Sequence, residues 1–115
     1  MTQSKSVRRS LAAALALALS APAFAGQVNT AGLTETGTFD RFIVKFADGS
    51  IENKDATARQ RLFDGAGRAE GLALAHQLRL AVGADVVRAS RKLDRARAER
   101  LMRRIASHPD VLYVE

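Results

Sequence analysis

The chain has 115 residues, no Cys, 18 Lys and Arg against 12 Asp and Glu, and a formal net charge of +6. This length limits it to one small domain, and the missing Cys excludes a disulfide framework and a Cys nucleophile. A domain of this size without disulfides is expected to be marginally stable, by only ~3 to 5 kcal/mol or less.

The first 25 residues have the pattern of a secretory signal peptide. The positive n-region contains Lys5, Arg8 and Arg9. The apolar run Leu11–Ser20 follows, and Ala23–Ala25 has the small-x-small form of a cleavage site, which predicts cleavage between Ala25 and Gly26. The apolar run is too short to span a bilayer, for which about 20 residues are needed. The sequence therefore predicts a secreted or periplasmic protein without a stable membrane anchor.

Residues 26–39 are rich in Gly, Thr and Asn and show no sustained hydrophobic period, so they are predicted to be a flexible linker. The folded domain is predicted over residues 40–115. Its first strand starts at Arg41 and places three apolar residues on one face, namely Phe42, Val44 and Phe46. The Asp48-Gly49 pair then predicts a turn.

The middle of the chain favours a helix. Residues 50–57 are polar and are predicted to form a loop, whereas residues 58–82 are mostly helical by composition, with the firm part from Arg68 to Ala81. The expected apolar stripe of this helix contains Ala69, Leu72, Ala73, His76 and Leu80. Gly83 is expected to terminate the helix.

The last third predicts strand, helix and strand. Residues Ala84–Leu93 read as a strand, or as a strand with a short return, and Asp94 is a candidate N-cap for a helix that runs to about Ser107. The apolar stripe of this helix contains Ala98, Leu101, Met102, Ile105 and Ala106. Pro109 prevents continuation of the helix, and residues 111–115 supply the final strand.

The order of the predicted elements determines the fold class. Each helix has one apolar stripe, so both helices must cover the same face of a small sheet. Helices that connect strands by right-handed crossovers, in two interleaved units, produce the split βαβ arrangement. The sequence therefore predicts an α+β, ferredoxin-like fold with a small antiparallel sheet of three or four strands and two helices on one face.

Residues that would carry catalysis are sparse. His76 and His108 have no second ligand type at metal spacing, and no G-x-S-x-G motif is present. The glycines Gly65, Gly67 and Gly71 do not have the G-x-G-x-x-G spacing of a dinucleotide-binding loop. We therefore assign no catalytic residue, metal or cofactor, and expect a protein that is not an enzyme.

An arginine-rich face on the second helix leaves one alternative open. Arg97, Arg100 and Arg104 share one side of the helix and could bind an anionic ligand. Such a run is usually a solvated face, Glu99 can pair with Arg103, and no aromatic residues interleave with the arginines, so nucleic-acid binding is not predicted. A small exported module that binds an anionic ligand through this face remains an alternative function.

Two segments, "RFIVKFADGS" at residues 41–50 and "HPDVLYVE" at residues 108–115, carry a resemblance to a known family. Together with Leu93 and Leu101 between them, they are similar to the N-terminal propeptide, of the inhibitor I9 type, of secreted subtilisin-like serine proteases. The similarity extends over residues 40–115 and is weak between residues 50 and 82. The fold of this family is the ferredoxin-like one.

The resemblance implies an intramolecular chaperone and temporary inhibitor whose sheet packs on two surface helices of a subtilisin-like catalytic domain. It implies a partner-binding role for Tyr113, Val114 and Glu115, with the carboxylate of Glu115 at the N-termini of the protease helices, where unpaired N–H groups favour an anion. The chain contains no catalytic domain, and it ends before the segment that lies in the active-site cleft in family members. We therefore expect docking on the helices without filling of the cleft. An inactive gene remnant is the remaining alternative.

Overall fold

The computed structural model describes residues 26–115, and the predicted signal peptide lies outside them. Within these residues the chain forms five strands and three helices. In chain order they are β1 (Gln27–Val28), β2 (Phe39–Phe46), α1 (Ile51–Lys54), α2 (Ala56–Ala69), β3 (Leu74–Arg79), β4 (Asp85–Leu93), α3 (Arg95–Ala106) and β5 (Val111–Val114).

The strands form one sheet in the order β1-β5-β2-β4-β3. The central strand β2 is antiparallel to both β4 and β5, β3 is antiparallel to β4, and β1 lies parallel to β5 at the opposite edge. The elements from β2 to β5, with α2 and α3 as the crossover helices, form two interleaved β-α-β units. The predicted α+β, ferredoxin-like fold is confirmed, with an added edge strand and a short third helix.

The hydrophobic core lies between one face of the sheet and the two long helices. The sheet contributes Phe42, Val44, Phe46, Leu74, Val87, Ala89, Val111 and Val114. The helices contribute Phe63 and Ala66 from α2, and Ala98, Leu101, Met102, Ile105 and Ala106 from α3. The rings of Phe46 and Phe63 join the two layers, with their centroids 5.8 Å apart. Both helices therefore cover the same face of the sheet.

Helix α3 forms as its sequence predicts. The Asp94 carboxylate accepts a hydrogen bond from the Arg97 amide at 2.9 Å, which satisfies one of the free N–H groups of the first turn. All five residues of the predicted apolar stripe are buried. Ser107 follows the last turn as C-cap, and Pro109 stands in the short connection to β5.

The prediction of a helix with its firm part at residues 68–81 is wrong. Helix α2 begins at Ala56, where the Asp55 carboxylate accepts from the Ala58 amide at 3.0 Å, and it ends at Ala69. Gly71 then adopts a φ of +71°, which breaks the helix, and the chain turns back as β3. Gly83, with a φ of +81°, closes the hairpin between β3 and β4 and does not terminate a helix.

Two further short elements were not predicted. Residues 50–57, expected to form a loop, contain α1, whose N-cap Ser50 accepts from the Asn53 amide. Residues 26–39, predicted as a flexible linker, contain β1, which pairs with Tyr113 and Val114. A run of two residues has no measurable period, so pairing with β5 defines this strand.

Candidate partner-binding surface

The face of the sheet opposite the helices carries three rows of side chains. The middle row runs from Glu115 through Ile43 and Val86 to Leu78, one flanking row contains Arg41, Arg88 and Ala75, and the other contains Lys45 and Tyr113. The strand neighbours of these residues, including Phe42, Val44, Val87 and Val114, are buried beneath the helices. Because successive side chains alternate between the two faces, the three rows point away from the helices. We call this set of residues the open face.

The centre of the open face is apolar. Ile43 and Val86 lie opposite each other on β2 and β4, and both are half-buried. Leu78 continues the row on β3 with 51 % of its surface exposed. At the other end of the row, Tyr113 stands half-buried on β5, opposite Lys45 of β2. Apolar side chains that are contiguous across four strands and remain partly exposed are typical of an interaction surface.

Basic residues flank this apolar centre. Arg41 and Arg88 stand directly opposite each other on neighbouring strands, an arrangement in which like charges repel. Arg88 pairs with Asp40 at 3.4 Å, which offsets part of that repulsion. On the other side, Lys45 donates to the Val82 carbonyl at 3.1 Å. A partner carboxylate placed between Arg41 and Arg88 would therefore be favourable.

The three residues that the resemblance assigns to partner binding lie on different faces. Tyr113 and Glu115 belong to the open face, whereas Val114 is fully buried in the core. Backbone hydrogen bonds in both directions, of 2.9 and 2.6 Å, pair Glu115 with Ile43. The Glu115 carboxylate is exposed and accepts from the Asn29 side chain at 3.2 Å. Tyr113 and Glu115 are thus available to a partner, and Val114 supports them from beneath.

A buried ionic cluster lies on the opposite face, at one end of the sheet. Asp85 is fully buried, and its Oδ1 accepts from Nε of Arg79 at 3.0 Å and lies 2.8 Å from Nε2 of His76. Its Oδ2 accepts from Nη2 of Arg79 at 2.9 Å, and Nε of Arg59 lies 3.7 Å away. His76, predicted on a helical stripe, lies instead in β3, and the sequence pattern does not predict this cluster. Asp85, a carboxylate within the apolar run "ADVV" at residues 84–87, is the one sequence feature that indicates a buried ionic group here.

The environment of Asp85 acts on its pKa in two directions. Burial raises the pKa, because it disfavours the charged carboxylate. The hydrogen bonds from Arg79 and His76 and the charges of Arg59 and Arg79 lower it by more, so the pKa lies below its ordinary value. Arg59 and Arg79 also donate to backbone carbonyls of α1. The cluster therefore ties α1 and α2 to the sheet, which is a structural role.

The arginine face of α3 is largely engaged within the protein. Glu70, just after α2, pairs with Arg100 at 3.2 Å and with Arg104 at 2.9 Å. Arg103 pairs with Glu99 at 3.6 Å. Two of the three arginines considered for an anionic ligand therefore bind a carboxylate of the same chain and join the ends of α2 and α3.

Over residues 26–115, none of the helices combines the length and the apolar character needed to cross a membrane. No family model matches the chain, and no solved structure matches it.

One relative among the curated proteins covers most of the chain. It is an extracellular protease from Xanthomonas campestris pv. campestris, 43% identical over 105 residues. The match covers 86% of this chain but only 18% of the relative. The chain therefore spans less than one fifth of that protein and is similar to a small part of an extracellular protease.

Proposed function

We propose that the chain is a propeptide-like module that acts as chaperone, inhibitor or both for a secreted subtilisin-like serine protease. The observation that carries the proposal is the open face, where an apolar row ends at an exposed carboxylate. The similarity to a small part of an extracellular protease supports it, because a propeptide is a small part of its precursor. The same similarity supports export of the chain.

The open face has the features needed to pack on surface helices of a catalytic domain. Ile43, Val86 and Leu78 would lose their remaining exposure to water, and this burial is the main favourable term in association. Glu115 lies at the end of the row, where its carboxylate could accept hydrogen bonds from the free N–H groups of a helix N-terminus. The Asn29 amide holds that carboxylate at 3.2 Å and leaves acceptor capacity free.

A rigid sheet explains how the module would help a protease to fold. Strands β2, β4 and β5 are hydrogen-bonded on both sides, so the open face exists before a partner binds. A partner that folds against a preformed surface is stabilised by binding to it, by an amount that grows with the logarithm of its affinity. The module itself supplies no reaction and acts by binding alone.

The test is refolding in trans. The X. campestris extracellular protease, made without the segment that matches this chain, is denatured and diluted into buffer with or without the full 115-residue chain. We expect the chain to raise the recovered protease activity in a saturable way at micromolar concentration. Inhibition of the already folded protease is measured in parallel, which separates the chaperone role from the inhibitor role.

Variants of the open face identify the surface used. Glu115→Gln removes the charge and is expected to raise the dissociation constant roughly two- to fivefold, the range for an anion at a helix N-terminus. Tyr113→Ala is expected to have at least this effect. Arg103→Ala, on the exposed side of α3, is the matched control and should bind as the wild-type chain does.

Two results would contradict the proposal. One is the absence of any effect on refolding or on activity at micromolar concentration. The other is binding that is unchanged in Glu115→Gln and Tyr113→Ala but abolished when Arg97, Arg100 and Arg104 are replaced together by Ala. The second result would favour the module that binds an anionic ligand.

A further inference from the structure

A cluster of metal-ligating side chains lies where β2 leads into α1 and α3 leads into β5, away from the open face. Glu52 of α1 meets His108 and Asp110 of the α3–β5 connection, and each offers one ligand atom within 4.8 Å of the other two. Nε2 of His108 lies 3.5 Å from Oε1 of Glu52. Since Glu52 and His108 are far apart in the sequence, their spacing could not reveal the cluster.

The Glu52 carboxylate lacks the partners that its burial requires. Glu52 is only 6% exposed, and its Oε2 is buried without a hydrogen-bond partner among the described residues. A buried acceptor left unsatisfied is costly, and a carboxylate more so than a neutral group. An unsatisfied buried carboxylate oxygen in a folded protein requires an explanation, and a bound ion is one possible explanation.

Backbone hydrogen bonds hold the two segments of the cluster together. The Ala47 amide donates to the Asp110 carbonyl at 2.8 Å, and the Ser50 hydroxyl donates to the Ala47 carbonyl at 2.7 Å. Ser50 in turn caps α1, which carries Glu52. The Val111 amide donates to the His108 carbonyl at 3.1 Å. The three ligand side chains therefore belong to segments whose relative position is held by these hydrogen bonds.

We propose that Glu52, His108 and Asp110 bind one divalent cation of the first transition row, with Zn²⁺ the favoured ion. One imidazole with two carboxylates is a nitrogen and oxygen donor set of the kind that Zn²⁺ accepts. The imidazole disfavours Ca²⁺ and Mg²⁺, which prefer oxygen ligands only. Three protein ligands leave the fourth tetrahedral position to water.

His108 has to change its tautomer to bind the ion through Nε2. Its Nδ1 accepts a hydrogen bond from the Asp110 amide at 3.2 Å, so the neutral ring carries its proton on Nε2, next to Glu52. Metal at Nε2 requires this proton to move to Nδ1, and the amide then loses its acceptor. The rearrangement weakens binding relative to a preformed site and produces a specific spectroscopic signature.

The ion would act as a cross-link that stabilises a small domain with no Cys to form disulfides. It would join α1 to the connection that leads into β5, whose Tyr113 lies on the open face. Because the ligands come together only in the folded chain, the free energy of metal binding adds to that of folding. The inference is independent of the proposed function, and its test uses the chain alone.

The test is a titration of the full chain with zinc chloride, followed by calorimetry, thermal unfolding and the ¹⁵N signals of the histidine rings. We expect one Zn²⁺ per chain, a saturable rise of several degrees in Tm, and a tautomer change at His108 while the ring signals of His76 stay unchanged. Calcium and magnesium chloride are expected to bind at least tenfold more weakly.

Variants assign the ligands. Glu52→Gln, His108→Gln and Asp110→Asn should each weaken zinc binding at least tenfold. Asp48→Asn, which changes a nearby carboxylate whose side chain is 92% exposed, is the matched control and should bind as the wild-type chain does.

Either of two outcomes overturns the site. The first is no saturable binding at millimolar zinc. The second is wild-type affinity in both Glu52→Gln and Asp110→Asn, which would mean that zinc binds to a surface histidine only. If one of these variants does not fold, the other variant and the His108 ring signal still decide.

Discussion

At the scale of single residues, Asp85 shows how a buried carboxylate is kept charged in this fold. Two arginines and one histidine from β3 and α2 converge on its two oxygens. We expect Asp85→Asn to lower the free energy of unfolding by about 2 to 4 kcal/mol, less than a fully buried pair, because the Arg79 side chain is 35% exposed. Asp40→Asn, which affects the exposed pair with Arg88, should cost below ~1 kcal/mol in the same urea titration.

The lowered pKa of Asp85 predicts the direction of the acid response. Since the folded state binds this proton less readily than the unfolded state, whose pKa is near 3.8, the contribution of Asp85 is complete above that value and decreases as pH falls through the lowered pKa. Urea titrations at successive acidic pH values measure the loss. The loss should be smaller in Asp85→Asn, and an unchanged slope in that variant would contradict the assignment.

Two glycines of α2 provide a third prediction at this scale. A methyl group at Gly65 would meet no atom within 4 Å, so Gly65→Ala should stabilise the protein by about 0.5 to 1 kcal/mol through its effect on helix formation. A methyl group at Gly67 would lie 2.6 Å from the Leu72 carbonyl oxygen, so Gly67→Ala should destabilise it by roughly 1 to 3 kcal/mol. Thermal unfolding of both variants checks the opposite signs, and a shared sign would refute the close contact.

At the scale of elements, α3 is the helix whose predicted cap and predicted apolar stripe both agree with the tertiary structure. Its N-cap Asp94 is exposed, so the cap can be tested with little effect on packing. Asp94→Ala should lower stability by about 1 kcal/mol, and Asp94→Ser, which keeps an acceptor, should restore most of it. Equal losses in both variants, measured by urea unfolding, would show that the cap does not contribute.

Element β3 shows where local signals mislead. The predicted helical stripe of Ala69, Leu72, Ala73, His76 and Leu80 runs from the end of α2 past β3, so periodicity alone did not separate helix from strand here. The free edge of β4 offered a row of backbone partners, and Gly71 could adopt the positive φ needed to turn back toward it. Tertiary pairing therefore outweighed the helical propensity of the segment.

At the scale of the whole molecule, residues 26–115 form one small layer of sheet and one layer of helix, and the chain has no Cys to form a disulfide. We expect a free energy of unfolding of only ~3 to 5 kcal/mol in neutral buffer. A protease domain at one hundred times the dissociation constant should add about 2.7 kcal/mol. Urea unfolding with and without that domain measures both values, and a midpoint insensitive to the domain would contradict binding through the native open face.

The sequence by itself determined the parts of the fold where one face of an element is buried. Apolar and polar residues alternate in β2, and five apolar residues form one stripe on α3. Each pattern is compatible with only one secondary structure, because any other would expose the apolar face to water. The same reasoning, with the order of elements, predicted the ferredoxin-like arrangement. The resemblance at the two ends of the domain then implied a partner-binding role for Tyr113, Val114 and Glu115.

Only the tertiary structure decided which side chains share a surface. Tyr113 and Glu115 joined Ile43 on the open face, while Val114 entered the core, because strand alternation and register separate neighbours along the chain. The clusters around Asp85 and Glu52 likewise bring together residues from different elements. Their contacts depend on how the elements pack, and the local pattern of the sequence carries no record of that packing.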